Sequence, residues 1–139
     1  MIAFQTSVEI DRPTDEVFAY LSDLGNFPHW NSAVQSVRPA SGPAYVMERE
    51  LPTGHATNRL EIVAWDSPHE FALRATEGPT PFLYRYRFVA ADKRTVVHLD
   101  AQLELTGVAA LVTPLARHGI RKGVDDNLAT LKLTLEAAA

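Results

Sequence analysis

The sequence predicts an α+β domain: a seven-stranded antiparallel sheet, two short helices after the first strand, and a long C-terminal helix. Three observations carry this. The chain opens on a clean two-residue alternation. Turn signals then punctuate the middle, from about Val34 to Leu105, too closely for the helical crossovers that parallel strands need. From Gly107 onward the apolar spacing becomes helical. The 139 residues fit one domain over 1–139, and a chain of this length buries roughly 70% of its unfolded surface without disulfide or metal.

Taken in order, Ala3–Ile10 puts Phe4, Thr6, Val8 and Ile10 on one side and Gln5, Ser7 and Glu9 on the other, as a half-buried strand does. Pro13, Asp15 and Glu16 suit a helix start, where acids complement the dipole, and Val17, Phe18, Tyr20 and Leu21 continue it to Ser22. Leu24, Phe27 and Trp30 share a face of a second short helical stretch over Asp23–Trp30, limited by Pro28. Ser41-Gly42-Pro43, Pro52-Thr53-Gly54, Asp66-Ser67-Pro68, Gly78-Pro79-Thr80-Pro81 and Asp92-Lys93 then separate the strands.

Pairing register follows from parity. In the hairpin closed by Asp92-Lys93, Phe88 should face Val97, Tyr86 Leu99, Tyr84 Ala101 and Phe82 Leu103, with Arg87–His98 and Arg85–Asp100 on the other face. A slip of one residue would pair apolar with polar throughout. In the hairpin around Pro52–His55, the preferred register sets Tyr45, Met47 and Arg49 opposite Ile62, Leu60 and Asn58, with Glu48 and Arg59 paired outside. The alternative turns Val46, Glu48 and Glu50 inward. Either way an ionisable side chain and Asn58 intrude on an apolar face.

Thr113-Pro114 suits the first turn of the last helix. Leu111 and Leu115 share a face with Gly119, while Ile120, Val124, Leu128, Leu131 and Leu135 form a stripe roughly opposite. A bend at Gly119 and Gly123 would turn both stripes to one sheet.

Composition removes several function classes. There is no Cys, hence no disulfide, thiolate metal site, iron–sulfur cluster or cysteine nucleophile. Thirteen basic against seventeen acidic residues give a net charge of −4, contrary to the basic excess of a nucleic-acid-binding domain. No apolar run, Val108–Val112 included, approaches the ~20 residues of a membrane span, and no leader pattern opens the chain. A cytoplasmic protein is expected, and nothing in the sequence indicates a homo-oligomer. None of the five histidines falls in a metal-gathering spacing, and GxSxG, GxGxxG and P-loop patterns are missing. Neither a metal nor another cofactor is expected.

The run Phe82, Tyr84, Tyr86, Phe88 reads first as core. Buried tyrosine hydroxyls need partners, however, or they incur about 1–3 kcal/mol of desolvation. With Asn58 and Arg49 on the same face, they point equally to a cavity with polar handles. Phe27-Pro28-His29-Trp30-Asn31 could cap it.

The stretch Val8-Glu9-Ile10-Asp11-Arg12-Pro13-Thr14-Asp15-Glu16-Val17-Phe18-Ala19-Tyr20-Leu21-Ser22-Asp23 resembles the opening of the START-like (SRPBCC) superfamily, and its polyketide cyclase/dehydrase and lipid-transport branch in particular. Asn26–Asn31, Trp65–Pro68, Leu115–Arg117 and Asn127–Lys132 are similar in texture, so the resemblance spans the chain. It implies a helix-grip fold, a curved sheet wrapped around the last helix with a cavity between. It also implies hydrophobic ligands such as lipids or polyketides, and no shared catalytic motif.

The leading expectation is binding or carriage of a small hydrophobic molecule. Tyr45, Met47, Arg49, Asn58, Leu60, Tyr84, Tyr86, Leu99 and Leu115 would contact it, and no catalytic residue is assigned. The alternative is a cyclase, aromatase or dehydratase that uses cavity shape, with Arg49 polarising a carbonyl and a tyrosine, or Glu48 in the other register, moving a proton. A third reading is an assembly protein whose aromatics close-pack without a cavity.

Overall fold

A computed structural model describes residues 1–51, 54–78, 80–105 and 113–138. The alternating segments become β1 (Ile2–Ile10), β2 (Val34–Pro39), β3 (Ala44–Leu51), β4 (Gly54–Asp66), β5 (Glu70–Ala75), β6 (Phe82–Ala91) and β7 (Arg94–Leu103). They form one antiparallel sheet in the order β1-β7-β6-β5-β4-β3-β2, with β1 and β2 at its edges. Between β1 and β2 lie α1 (Thr14–Ser22), a 3-10 turn (Leu24–Asn26) and α2 (Phe27–Trp30); α3 (Thr113–Ala137) follows the sheet. Register shifts at Val34/Ser36 and Ile62/Ala64 mark bulges that bend their strands.

The β6–β7 pairing is the one expected, with Phe88 opposite Val97, Tyr86 opposite Leu99, and Arg85 opposite Asp100. The β3–β4 hairpin differs from expectation. Tyr45 faces Leu60, Met47 faces Asn58 and Arg49 faces Ala56, while Glu48 faces Thr57 and not Arg59. Pairing continues to Leu51–Gly54. The error is two residues, which preserves parity. Tyr45, Met47 and Arg49 still share a face with Asn58 and Leu60, and Glu48 points out to Arg38 and His55, both at 3.8 Å.

Helix α1 begins after Pro13, carries Asp15 and Glu16 in its first turn, and buries Val17, Phe18 and Leu21. Its Phe18 ring meets Trp65, Phe71 and Phe88 edge-on at 5.0, 5.8 and 5.1 Å, filling one end of the concave face. Thr95, fully buried, fastens the approach to α1: its hydroxyl donates to the Arg12 carbonyl at 2.8 Å and lies 3.1 Å from Thr14 Oγ1. Thr95→Val keeps the shape and orphans that carbonyl. A loss of about 1–2 kcal/mol is expected in urea unfolding.

Helix α3 covers the β1 edge. Arg117 and Lys132 donate to the Ala3 and Glu9 carbonyls at 3.1 and 2.7 Å, Glu136 accepts from the Asp11 amide at 2.9 Å, and the Arg121 guanidinium sits over the Phe4 ring. Unpaired edge groups that could template aggregation are thus satisfied within the chain. The helix is continuous. Ala116, Ile120, Val124, Leu128, Leu131 and Leu135 fall within about 120° of arc at 3.6 residues per turn, so one stripe serves the whole length and needs no bend to face the sheet. Leu115, with Leu133, lies about 100° outside that arc and is 77% exposed. Leu111 lies outside the described residues.

Candidate functional site

Leu128, Leu131 and Leu135 pack into the core, whereas the preceding part of α3 holds the β1 edge and only partly covers the rest of the sheet. Between them lies a cavity of about 650 Å³, closed on another side by α2. Its wall is mostly apolar, including Trp30, Phe82, Leu99, Leu103, Ile120 and Val124, with Arg49, Tyr84, Tyr86 and Asn127 as polar points. Two lining residues of α3, Gly119 and Gly123, present no side chain, and a Cβ on either would meet no atom within 4 Å.

Of the residues singled out from sequence, Met47, Arg49, Tyr84, Tyr86 and Leu99 come together in this wall. Tyr45, Asn58, Leu60 and Leu115 do not line it. Tyr45 is half-buried against the core and Leu60 fully buried within it. Leu115 faces outward for the helical reason given above, and Ala116 and Ile120 take its place. Asn58 stands behind Arg49 and positions it. The carboxamide oxygen accepts Arg49 Nε at 3.0 Å and Nη2 at 2.5 Å, and its Nδ2 donates to the Glu77 carbonyl at 2.8 Å. Arg49 sits opposite Ala56, so it reaches Asn58 diagonally along the same face.

The aromatic run divides. Phe88 stacks on Phe71 and meets Phe18 beneath α1, and is core. Phe82, Tyr84 and Tyr86 line the cavity, with Phe82 under the Arg49 guanidinium at 5.7 Å. Parity alone could not separate the two groups, because what covers each residue is set by α1 and α3. Trp30 lies in the segment expected to cap the cavity, whereas Ile120, Gly123 and Asn127 were not assigned to the site. The helical stripe already contained Ile120, and Asn127 falls within the same arc as a polar residue among apolar ones, the signal that could have found it.

Burial dominates the electrostatics. It lowers the Arg49 pKa, an effect opposed by Tyr84, and pushes the Tyr84 hydroxyl up to about 12 although the guanidinium pulls it down. Burial also raises Tyr86, with Tyr84 adding to the shift. At neutral pH both phenols are therefore hydrogen-bonding groups and poor proton acceptors. A raised folded-state pKa means that the native protein holds its proton where the unfolded chain has lost it. Stability from Tyr84 is full below about pH 10 and falls through about pH 12. Urea unfolding across that window should show the decline, and Tyr84→Phe should make it shallower, with Tyr86 sustaining the remainder.

Comparison with known proteins places this geometry. The sequence pattern of the family described as polyketide cyclase / dehydrase and lipid transport matches residues 1–136. A conserved protein from Geobacillus kaustophilus superposes with a TM-score of 0.87 at 14% identity, over 99% of this chain and 97% of that one. A START superfamily protein from Mycobacterium smegmatis gives 0.71 at 16% identity, over 96% and 98%. The di-domain ARO/CYC StfQ from the steffimycin biosynthetic pathway gives 0.73 at 14% identity, over 95% of this chain and 49% of that one. No curated protein matches in sequence. At such identities the likeness is one of fold, the helix-grip arrangement of a curved seven-stranded sheet about a long C-terminal helix. Among the described residues no helix is long and apolar enough to cross a membrane.

Proposed function

The chain belongs to the polyketide cyclase / dehydrase and lipid transport family, and from that footing we propose that it binds and carries one small hydrophobic molecule between sheet and α3. The observation that carries this reading is the cavity of about 650 Å³ with a largely apolar wall. Its size falls in the range of small-molecule sites. Apolar burial supplies the drive, at roughly 25 cal/mol per Å², and the few polar points supply orientation.

The chemistry of the wall favours binding over proton-transfer catalysis. Among the described lining residues there is no carboxylate and no histidine, and residues 52, 53, 79, 106–112 and 139 are of neither type. The side chains best suited to move protons near neutral pH are therefore missing. A cyclase-type activity is supported by one observation, the buried Arg49 beside Tyr84, which could polarise a carbonyl while the wall folds the substrate.

Native mass spectrometry of the purified protein tests the binding reading. A co-purifying mass of a few hundred daltons, released on denaturation, is expected. No such mass, together with no uptake from a panel of lipids and aromatic polyketides, would overturn it. The enzymatic reading predicts loss of turnover in a Tyr84→Phe, Tyr86→Phe double variant.

A further inference from the structure

The polar groups of the wall are unevenly matched, and the imbalance bears on what the cavity holds. Side-chain amides bring one acceptor and two donors each. The Asn127 oxygen accepts both the Ser32 amide and the Ser32 hydroxyl, at 3.2 and 3.4 Å, and the Asn31 oxygen accepts the Ala33 amide at 3.1 Å. Backbone N–H groups can only donate, so these contacts orient both amides with the NH₂ groups left over as donors. The carboxamide oxygen of Asn58 is likewise taken by Arg49. Trp30, in the same wall, keeps its indole N–H buried with no acceptor among the described residues. Arg49, the charged side chain among the described lining residues, is a cation with no acceptor atom.

Resting on the cavity reading above, we propose that the bound molecule is an acceptor: an apolar frame carrying carbonyl- or ether-type oxygens at two separated points, one donated to by Tyr84 beside Arg49 on the sheet and the other by Asn127 on α3. Amines are disfavoured. A protonated amine would enter a low-dielectric space near a guanidinium with no carboxylate in the described wall to receive it. A neutral amine brings mainly donors, and so leaves the amide N–H groups of Asn31 and Asn127 and the Trp30 indole N–H unmatched. The separation of the two oxygens follows from the placement of Tyr84 and Asn127 on facing walls, strand β6 and helix α3.

Three probes on one tricyclic frame test this: anthraquinone with two opposed carbonyls, anthracene with no polar atom, and 2-aminoanthracene. Binding is read from Trp30 emission in a Trp65→Phe protein, since Trp65 is 55% exposed and Trp30 lines the cavity. Anthraquinone should bind at least tenfold tighter than either of the others. Tyr84→Phe should cut that preference to a few-fold. Asn127→Asp keeps the oxygen that Ser32 uses and replaces the donor with an anion, so it should reverse the order of quinone and amine. Binding of all three within a factor of two, or tightest binding of the amine to the parent protein, overturns the acceptor assignment and leaves the cavity reading standing. A quinone preference unchanged in both variants overturns the assignment to Tyr84 and Asn127. Binding of none overturns the acceptor assignment, and with no co-purifying mass and no uptake of lipids it overturns the cavity reading too.

Discussion

Asn58→Leu is expected to destabilise the protein by about 2–3 kcal/mol, the upper range for taking a hydrogen-bond acceptor from a buried charged donor. Asn58 is fully inaccessible and Arg49 is 8% exposed. The carboxamide takes two guanidinium nitrogens of Arg49 and returns a hydrogen bond to the Glu77 carbonyl. Leucine has the same branching and none of these groups, so the loss combines the missing hydrogen bonds with the crowding of methyls at a fully buried site. Gly78 follows Glu77 at φ +99°, and a Cβ there would sit 2.2 Å from the Thr57 carbonyl and 2.9 Å from Asn58 Nδ2. The backbone is thus folded tightly onto the amide it satisfies. A double-mutant cycle provides the check. In Asn58→Leu, Arg49→Met the charge is removed with its partner, and most of the loss should return, as a coupling above about 1 kcal/mol. Losses that simply add would mean that Asn58 acts by packing alone.

That pair also marks the boundary of what sequence can read. Period-two alternation assigned Arg49 and Asn58 to one face, and a register error of two residues left the face unchanged because the side-chain period is two. The hairpin loop was the illegible part: Pro52-Thr53-Gly54-His55 signals a turn without stating whether two or four residues form it. The aromatic run met a different barrier. Alternation says which face Phe82, Tyr84, Tyr86 and Phe88 share, and nothing about the fact that Phe88 lies under α1 while the others face open space. Leu115 was misassigned because a second apolar stripe seemed to require burial. Exposed leucines need no such explanation, and α3 leaves Leu115 and Leu133 on its outer side.

Gly123→Leu is expected to stabilise the empty protein by about 1 kcal/mol and to abolish uptake of the tricyclic probes. Glycine inside a helix is less favourable than alanine by roughly 1 kcal/mol, and leucine is nearly as good as alanine. Such a glycine, absent a turn or positive φ, calls for a reason. Sequence suggested a bend at this position, but a single apolar stripe runs along α3 and needs none. The reason visible in the structure is volume: Gly123 lines the cavity, and a Cβ there would meet nothing within 4 Å. A leucine side chain would take up space in this apolar cavity, lined also by Leu99 and Leu103, that a ligand needs. In a close-packed core the same substitution would force strain worth about 1–3 kcal/mol, so the sign of the stability change separates cavity from core. Gly119→Ala is the control, with a similar helical gain and binding largely retained. Urea unfolding and probe titration on the two variants decide the matter, and a destabilised Gly123→Leu, or one that still takes up the probes, would mean that the space beside Gly123 is not the ligand's.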